Sequence, residues 1–392
     1  MTIMFYTRFR PVNEKGGTEH TTQVVAAGLA RLYGIRSVSV WHNPLDGSME
    51  PFAASIQLPD NRREAADAVE KIIRKYNVSC VVIQGYFHDC PMLHEAAARV
   101  EGCHVVFAHH FAPGWELLSK DKIYEKWQAS RGLSRLRYGL KLALFPLFSL
   151  QSRLNMTRRY CMAYRMADRV VLLSEHYIRA FQRLALTHAT SKFAVIPNAV
   201  PFSPVPADTL NSKEKTVLMV TRLDERQKRI FLALKIWKRI KLDARFSDWQ
   251  LTVIGEGYGN ESAAYQKYAD ENGIKQVKFL GRQKPVEYYK KASVFIMTSR
   301  CEGLPLTILE CRAAWVVPVA FNTFGAVSDL IDNGKDGYIV EEGDIDGYVE
   351  KTKSLMADEP LRRSMALAGA DSLKAFSNDE VMKKWHALLT SL

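Results

Sequence analysis

The stretch of residues 294–314 constrains the fold of this chain more than any other part of the sequence. It opens with the unbroken apolar run Val294–Met297, which is typical of a strand in a parallel sheet that is covered on both faces. A polar turn follows, and Pro305 suits the first position of a helix that we expect to continue to Ala314. This order of strand, turn and helix predicts an α/β domain with a parallel sheet.

The turn and the helix carry residues that are suited to a charged sugar derivative. Glu302 follows the strand, and Glu310 lies about one helical turn inside the helix. Gly303 lets a ligand approach the backbone closely, and the N–H groups at the helix start favour an anion. An acid for sugar hydroxyls, N–H groups for phosphate and a deeper acid for a ribose would together bind a nucleotide sugar. The alternative is an ordinary strand–turn–helix unit with glutamates on its surface.

The composition favours two domains and an anionic partner. The chain has 392 residues and a formal net charge of +12, which favours a nucleotide, a nucleic acid or a membrane surface, although it can also serve solubility alone. The six cysteines show no C-x-x-C pair or zinc spacing, which indicates a reducing compartment. The N-terminus lacks the apolar core of a signal peptide, and no apolar run is long enough to span a bilayer. We therefore expect a cytoplasmic protein.

Strand and helix signals alternate in two runs, which predicts two domains. The first covers residues 1–200. Residues 201–215 contain three prolines and several small polar residues, which are typical of a linker. The second domain is expected over 201–375, with a helix at 344–375, and the segment 376–392 is expected to cross back to the first domain.

The first domain has two candidate ligand-binding positions. Gly16 and Gly17 lie between a predicted strand and a helix, as in a phosphate-binding βα unit, but without the G-x-G-x-x-G or Walker pattern. The alternative is a generic turn. His109 and His110 follow a strand at its carboxyl end, where ligands bind in open α/β sheets.

A glycine-rich turn at Gly255, Gly257 and Gly259 resembles a dinucleotide fingerprint only superficially. The next predicted strand ends in Gly281 and Arg282, so no acid is in place for a ribose. We expect no dinucleotide cofactor.

The segment 115–165 differs from the rest because basic residues far outnumber acidic ones. It includes an apolar stretch, 138–150, which Lys141 and Pro146 interrupt and which is too short to span a bilayer. The segment is suited to an anionic membrane surface or a lipid-linked acceptor, which would make the protein peripheral at the inner face of the membrane. The alternative is an insertion whose apolar side packs on the domain.

Arg222, Lys228, Glu302 and Glu310 carry a family resemblance. An Arg and a Lys six positions apart follow the first strand of the second domain, and two glutamates follow in an E-x7-E pattern. In these features the chain resembles the family-4 retaining glycosyltransferases of GT-B fold, over nearly its whole length. Further matches are the Pro197-Asn198-Ala199-Val200 hinge strand, the glycine turn at 255–257 and the Gly-Gly at 16–17.

Two positions depart from the family pattern. The family's Gly-Gly before the phosphate-facing loop reads Phe324-Gly325, followed by Asp329 where Glu is commoner. The family's His-Asp reads His109-His110, so either histidine could face the donor sugar.

The resemblance implies a GT-B fold, in which two Rossmann-like, doubly wound domains face each other across a cleft. The second domain would bind a nucleotide-diphosphate sugar, and the first would bind a glycan or polyprenyl-linked acceptor in the synthesis of a surface polysaccharide or glycoconjugate. No cofactor beyond the nucleotide sugar is implied. Many glycosyltransferases hold a metal with an Asp-x-Asp pair, and we expect no such pair in this chain and therefore no metal.

The resemblance also assigns roles to residues. Arg222 and Lys228 would neutralise the departing diphosphate, assisted by the backbone N–H groups of Gly303 and Leu304. Glu302 would hold the sugar hydroxyls, and Glu310 the ribose. The remaining implied contacts are His109 with the sugar, and Gly16, Gly17 and Gly255 with the donor.

Other functions remain open at this stage. A nucleotide-sugar epimerase of the same fold, a phosphorylase and a non-catalytic GT-B binding protein are alternatives. A phosphorylase should carry a lysine for pyridoxal phosphate, and no motif for such a lysine is recognised in this sequence. Nucleic-acid binding is not expected, because the basic residues cluster in one segment that is also apolar and no nucleic-acid motif is recognised.

Overall fold

The computed structural model of the protein describes residues 1–11, 17–44, 51–117, 119–257 and 259–392. Within these residues the chain divides into two compact units. The first unit comprises Met1–Pro197 and Val381–Leu392, and the second comprises Asn198–Glu380. The sequence places the domain division at 200 and the start of the returning segment at 376.

The first unit is built on a parallel sheet. In the described part of the chain its strands are β1 (Thr2–Phe9), β2 (Arg36–Asn43), β3 (Ala54–Gln57), β4 (Val78–Gln84), β5 (His104–His109), β6 (Arg169–Leu172) and β7 (Phe193–Val195). They are ordered β3-β2-β1-β4-β5-β6-β7. The inner strand β1 buries Ile3 and Tyr6 completely, as expected for a strand that is covered on both faces. β3 is not predicted from the sequence, because it is a short, partly exposed strand that pairs with β2 at the edge of the sheet.

Helices flank this sheet. They are α1 (Gly17–Tyr33), α2 (Arg62–Tyr76), α3 (Cys90–Ala98), α4 (Lys120–Ala129), α5 (Gly132–Ala143), α6 (Phe145–Met166) and α7 (Ile178–Ala185). Local signals set the bounds of α2. The Asn61 side chain accepts hydrogen bonds from the N–H groups of Arg63 and Glu64, and Asn77 ends the helix in the left-handed conformation.

The second unit contains a second parallel sheet. Over the residues that the structure describes, its strands are β8 (Thr216–Val220), β9 (Gln250–Ile254), β10 (Val277–Phe279), β11 (Val294–Met297), β12 (Val317–Asn322) and β13 (Tyr338–Glu341). Their order is β10-β9-β8-β11-β12-β13. The chain thus winds one way from β8 and the other way from β11, so the switch in winding direction lies between these two strands. The turns after β8 and β11 therefore meet at the carboxyl edge of the sheet, where ligands bind in such folds.

The helices of the second unit pack on both sides of its sheet. They are α8 (Glu225–Lys228), α9 (Ile230–Ile240), α10 (Glu261–Glu271), α11 (Pro285–Lys291), α12 (Leu306–Ala313), α13 (Val327–Leu330), α14 (Ile345–Ala357) and α15 (Glu359–Ser372). The single helix predicted over 344–375 is wrong, because the chain breaks between α14 and α15. Asp358 is extended there and its side chain caps α15, and Pro360 in the first turn has no N–H to continue α14.

The predicted linker at 201–215 is part of the second unit. Val205 and Leu210 are buried, and the N–H of Val205 donates to the carbonyl of Ala313. The Lys213 ammonium donates to the carbonyls of Tyr289 and Ala314 at 2.9 and 2.6 Å. The prediction was wrong because prolines and polar residues break regular structure without preventing burial. The preceding Pro197–Val200 segment is irregular rather than a strand.

The last helix, α16 (Asn378–Thr390), runs from the second unit into the first. Its Met382 packs on α1 at Gly28, where an added Cβ would lie 2.6 Å from the Met382 side chain. Tyr33 and His386 stack with their rings 3.9 Å apart. No helix in the described residues is both long enough and apolar enough to cross a membrane.

Candidate active site

The turn after β8 places Arg222 and Lys228 at the carboxyl edge of the second sheet. Asp224 begins the one-turn helix α8 by accepting a hydrogen bond from the N–H of Arg226. Lys228 ends this helix, and Arg229 then adopts a left-handed conformation with φ of 53°. The short helix thus sets the spacing between the two cationic side chains.

Lys228 contacts Glu302 directly. The Lys228 ammonium lies 2.5 Å from Glu302 Oε1, and the two side chains are only 16% and 9% exposed. An ion pair so largely shielded from water interacts more strongly than one on the surface. The two turns after β8 and β11 are therefore joined by charge.

Gln227 connects Arg222 to this pair. Its side-chain oxygen accepts from the Arg222 guanidinium at 2.9 Å, and its Nε2 donates to the Cys301 carbonyl at 3.1 Å and to Glu302 Oε2 at 3.4 Å. Arg222 also lies 3.5 Å from Asp224. Sequence reasoning missed Gln227, whose position beside Lys228 was the available signal. The structure brings Arg222, Lys228 and Glu302 together through it.

Arg229 also connects the turns after β8 and β11. Its guanidinium donates to the carbonyls of Thr298 and Ser299 at 2.6 and 3.1 Å, and it pairs with Glu342 at 2.9 Å. Burial lowers the pKa of Arg229 from its usual value, and the charge of Glu342 opposes this shift. The Thr298 hydroxyl donates back to the carbonyl of Lys228 at 2.8 Å. Arg229 thus holds the β11 turn in place.

Gly255 is required by the backbone of the β8 turn. It has φ of +137°, and an added Cβ would lie 1.7 Å from the carbonyl oxygen of Thr221. Because every other residue carries a Cβ, only glycine fits this position without moving the turn that begins at Thr221. The structure therefore gives Gly255 a supporting role next to Arg222, and its contact with a donor stays a prediction.

Glu310 lies on the inner part of α12 and is held by Tyr289 of α11. The fully buried Tyr289 hydroxyl donates to Glu310 Oε2 at 2.9 Å. Burial raises the pKa of the partly exposed Glu310 carboxyl above its ordinary value, while the bond from Tyr289 opposes this shift. Burial and the charge of Glu310 raise the pKa of Tyr289 well above its ordinary value. Sequence reasoning missed Tyr289.

The start of α12 differs in detail from the prediction. Pro305 precedes the helix with ψ of 113°, which is extended rather than helical, so α12 begins at Leu306. Gly303 and Leu304 are buried in the preceding turn, and the Leu304 carbonyl accepts a hydrogen bond from Asn198 at 3.5 Å. Phe324, which replaces a family glycine, is buried in its own turn.

His109 lies in the first unit, at the end of β5, and is buried. Its Nδ1 lies 2.8 Å from the Phe111 carbonyl, and its Nε2 lies 3.1 Å from the Tyr160 hydroxyl and 3.7 Å from Glu116. Burial acts to raise the pKa of Glu116, but hydrogen bonding and charge from His109 outweigh it and the pKa falls. Tyr160 and Glu116 are partners that sequence reasoning missed.

The other first-unit candidates are less informative. His110 bonds to the Gln84 side chain, and burial, followed by the charge of His109, lowers its pKa to about 3. A neutral His110 is thus expected at physiological pH. Gly17 opens α1, and Gly16 lies outside the described residues.

The expectation that the chain lacks an Asp-x-Asp pair is wrong, because this spacing occurs at Asp344 and Asp346. Asp344 caps α14 by accepting from the N–H of Gly347 at 2.8 Å, and Asp346 pairs with Arg239 on the surface. In the described ranges, no group of three or more His, Cys, Asp or Glu side chains is arranged to hold a metal ion.

The second unit matches a family model. Residues 206–371 match the family described as glycosyl transferases group 1. The matched range covers β8 to α15 and includes Arg222, Lys228, Glu302 and Glu310.

Two curated relatives extend the comparison. The chain is 27% identical to the amylovoran biosynthesis glycosyltransferase AmsD of Erwinia amylovora over 234 residues. The aligned region covers 58% of this chain and 63% of AmsD. The chain is also 29% identical to an exopolysaccharide phosphotransferase of Streptomyces coelicolor over 228 residues. This aligned region covers 57% of this chain but 23% of the relative. The chain thus spans less than two thirds of either relative.

A solved structure resembles the whole chain. Anabaena HepE in complex with UDP-glucose superposes with a TM-score of 0.74 over 100% of both chains, at 15% sequence identity. Likeness at this level of identity concerns the fold, and it confirms the predicted architecture of two Rossmann-like domains of GT-B type. By the family model and the relatives, this chain is similar in sequence to glycosyltransferases.

Proposed function

We propose that this protein is a retaining glycosyltransferase that moves a sugar from a nucleotide-diphosphate sugar to a glycan or lipid-linked acceptor. The observation that carries the proposal is the Lys228–Glu302 pair, joined to Arg222 through Gln227 at the carboxyl edge between β8 and β11. It combines two cations with an acid, which suits a diphosphate next to a polyhydroxylated sugar. The names of the matched family and of AmsD support the same activity in polysaccharide synthesis.

The two cations would act on the leaving group. As the bond between the sugar C1 and the phosphate oxygen breaks, negative charge grows on the diphosphate. Groups that are already fixed and aimed at this charge stabilise the transition state without reorganising. Lys228 is fixed by Glu302, and Arg222 by Gln227 and Asp224, so both fit this role. We propose that the reaction therefore needs no divalent metal.

Glu302 would bind sugar hydroxyls rather than attack the sugar. One of its oxygens lies next to Lys228 and the other next to Gln227, which favours a hydrogen-bonding carboxylate over a nucleophile. The new bond would then form between C1 and the acceptor oxygen on the face that the phosphate leaves. A phosphate oxygen of the leaving group would take the acceptor's proton. Glu310, held by Tyr289, would bind the ribose.

The decisive experiment incubates the protein with a panel of nucleotide sugars and identifies the products. Glycosyl transfer or slow hydrolysis releases a nucleoside diphosphate. Transfer of a sugar phosphate, as the name of the Streptomyces relative suggests, would release a nucleoside monophosphate instead. An epimerase would interconvert nucleotide sugars without an acceptor, and a non-catalytic protein would be stabilised by a donor without consuming it. Product release that EDTA abolishes and manganese restores would contradict the metal-independent mechanism.

A further inference from the structure

We propose that α5 and α6 dock the protein on an anionic lipid bilayer, with a row of leucines in the acyl layer and arginines among the headgroups. This proposal does not depend on the proposed activity, because it concerns a surface of the first unit and is tested by binding alone. It commits to a lipid surface as the occupant of this face.

The leucines of these helices are exposed to an unusual degree. Six of them, together with Leu144 at the junction of the helices, are between 40% and 86% exposed. They are Leu133, Leu136, Leu140, Leu147, Leu150 and Leu154. Single exposed leucines are normal on a protein surface, but a contiguous apolar row marks an interaction site.

The leucines follow helical spacing, so they form faces rather than scattered contacts. At about 100° per residue, Leu133, Leu136 and Leu140 share one face of α5. By the same spacing, Leu147, Leu150 and Leu154 share one face of α6. Each helix therefore presents a continuous apolar stripe.

The opposite side of α6 is anchored in the first unit. Met156, Tyr160 and Ala163 are the buried residues of this helix. The Tyr160 hydroxyl accepts from the N–H of Gly114 at 3.0 Å and contacts Glu116 and His109. The predicted insertion thus packs on its domain through one part of α6, and leaves the leucine stripe uncovered.

The charge of the two helices selects an anionic partner. Residues 132–166 contain seven Lys and Arg and no Asp or Glu. Arg137 lies one turn after Leu133, and Arg158 one turn after Leu154, so exposed cations border the stripe on the same faces. The Arg135 guanidinium carbon lies 4.5 Å from the centre of the Trp127 ring, so this cation already has a partner within the protein.

A second copy of the chain fits this surface less well. Two such faces brought together would place uncompensated positive charges opposite each other, which is costly at an interface. Anionic headgroups remove this cost, and an apolar stripe with a basic border is the pattern of a helix that lies in the membrane interface. Neither helix needs to span the bilayer.

The test measures sedimentation of the full chain with phospholipid vesicles. One vesicle preparation contains phosphatidylcholine alone, and the other contains a third phosphatidylglycerol. The leucine variant carries Leu136→Ser, Leu140→Ser and Leu147→Ser. Its matched control carries Leu186→Ser, Leu242→Ser and Leu367→Ser, which are exposed leucines on other surfaces. A charge variant carries Arg137→Glu and Arg158→Glu, which leaves the stacked Arg135 intact.

We expect the wild-type protein to bind the anionic vesicles, and the leucine variant to bind them about tenfold or more weakly. The leucine control should bind like the wild type, and the charge variant should lose binding to anionic vesicles at low salt. Equal melting temperatures would show that the variants fold. A wild-type protein that fails to bind anionic vesicles at low salt would overturn the proposal, and so would equal losses in the leucine variant and its control. Sedimentation of a dimer that the leucine variant alone abolishes, without vesicle binding, would assign the surface to a second copy.

Discussion

Lys228 and Glu302 form an ion pair of 2.5 Å that joins the turns after β8 and β11. The two residues come from separate strand ends, 74 positions apart in the sequence. In the proposed mechanism Lys228 binds phosphate and Glu302 binds sugar hydroxyls. The pair therefore sets the distance between the two parts of the donor site, and it keeps both side chains in place without a ligand.

Removing either Lys228 or Glu302 alone should cost more folding stability than the ion pair itself contributes. Lys228→Met leaves a poorly hydrated carboxylate, and Glu302→Gln leaves a poorly hydrated ammonium. Each single change should lower the free energy of unfolding by about 1–3 kcal/mol. The double variant should lose less than the sum of the two, which urea unfolding of the four proteins in a double-mutant cycle would measure. Strictly additive losses would mean that the pair contributes little.

Glu310→Gln should separate binding from stability. Loss of a charged hydrogen bond to the ribose should weaken donor binding by about 1.5–3 kcal/mol. Burial raises the pKa of Glu310 in the folded protein, so ionisation of this group removes folding stability as the pH rises through its pKa. Glutamine cannot ionise, and the variant should melt at or above the wild-type temperature at neutral pH. Calorimetric titration with donor and thermal melts test both parts, and an unchanged donor affinity would contradict the role of Glu310.

Tyr289→Phe should change the pH dependence of donor binding. The Tyr289 hydroxyl bond opposes the rise in the pKa of Glu310, so its removal should raise that pKa further. If the ribose needs the ionised carboxylate, donor affinity falls as the pH drops through this pKa. The fall should therefore begin at higher pH in Tyr289→Phe than in the wild type. Tyr288→Phe is the matched control next to it on α11, and an identical pH profile in all three proteins would refute this positioning role.

Arg229→Ala should reduce stability, whereas Arg226→Ala should not. The Arg229 side chain is 14% exposed and satisfies two backbone carbonyls of the β11 turn, while Arg226 is 59% exposed. Leaving a buried carbonyl unsatisfied costs about 1–3 kcal/mol, and an exposed substitution usually changes stability by less than about 0.5 kcal/mol. Unfolding free energies of the two variants test this difference. Equal losses would mean that Arg229 does not hold the turn. Because Arg229 is expected to support the turn, Arg226 is the suitable control when Lys228 is tested for general loss of positive charge.

Most of the fold could be predicted because its strands are apolar runs with clear ends. β11 has the predicted bounds Val294–Met297, since it combines an unbroken apolar run with a polar boundary. The short edge strand β3 had no such signal. The linker at 201–215 and the helix at 344–375 were wrong where burial or a cap outweighed local composition.

The site could be predicted only as far as spacing along the chain allows. Family spacing singles out Arg222, Lys228 and Glu302, and the structure brings them together. Gln227 and Tyr289 could not be found in this way, because their partners lie 75 and 21 positions away and meet them only in the folded unit. The roles of His109 and Gly17 in donor binding stay predictions.

The most direct test of the proposed mechanism is the turnover number of Lys228→Ala with the donor that the panel identifies. If Lys228 stabilises the charge that grows on the departing diphosphate, its loss falls mainly on the transition state. We predict that kcat drops by about 10²–10³-fold in Lys228→Ala, while Arg226→Ala keeps the wild-type value. Equal effects of the two substitutions, or an unchanged kcat in Lys228→Ala, would contradict the account.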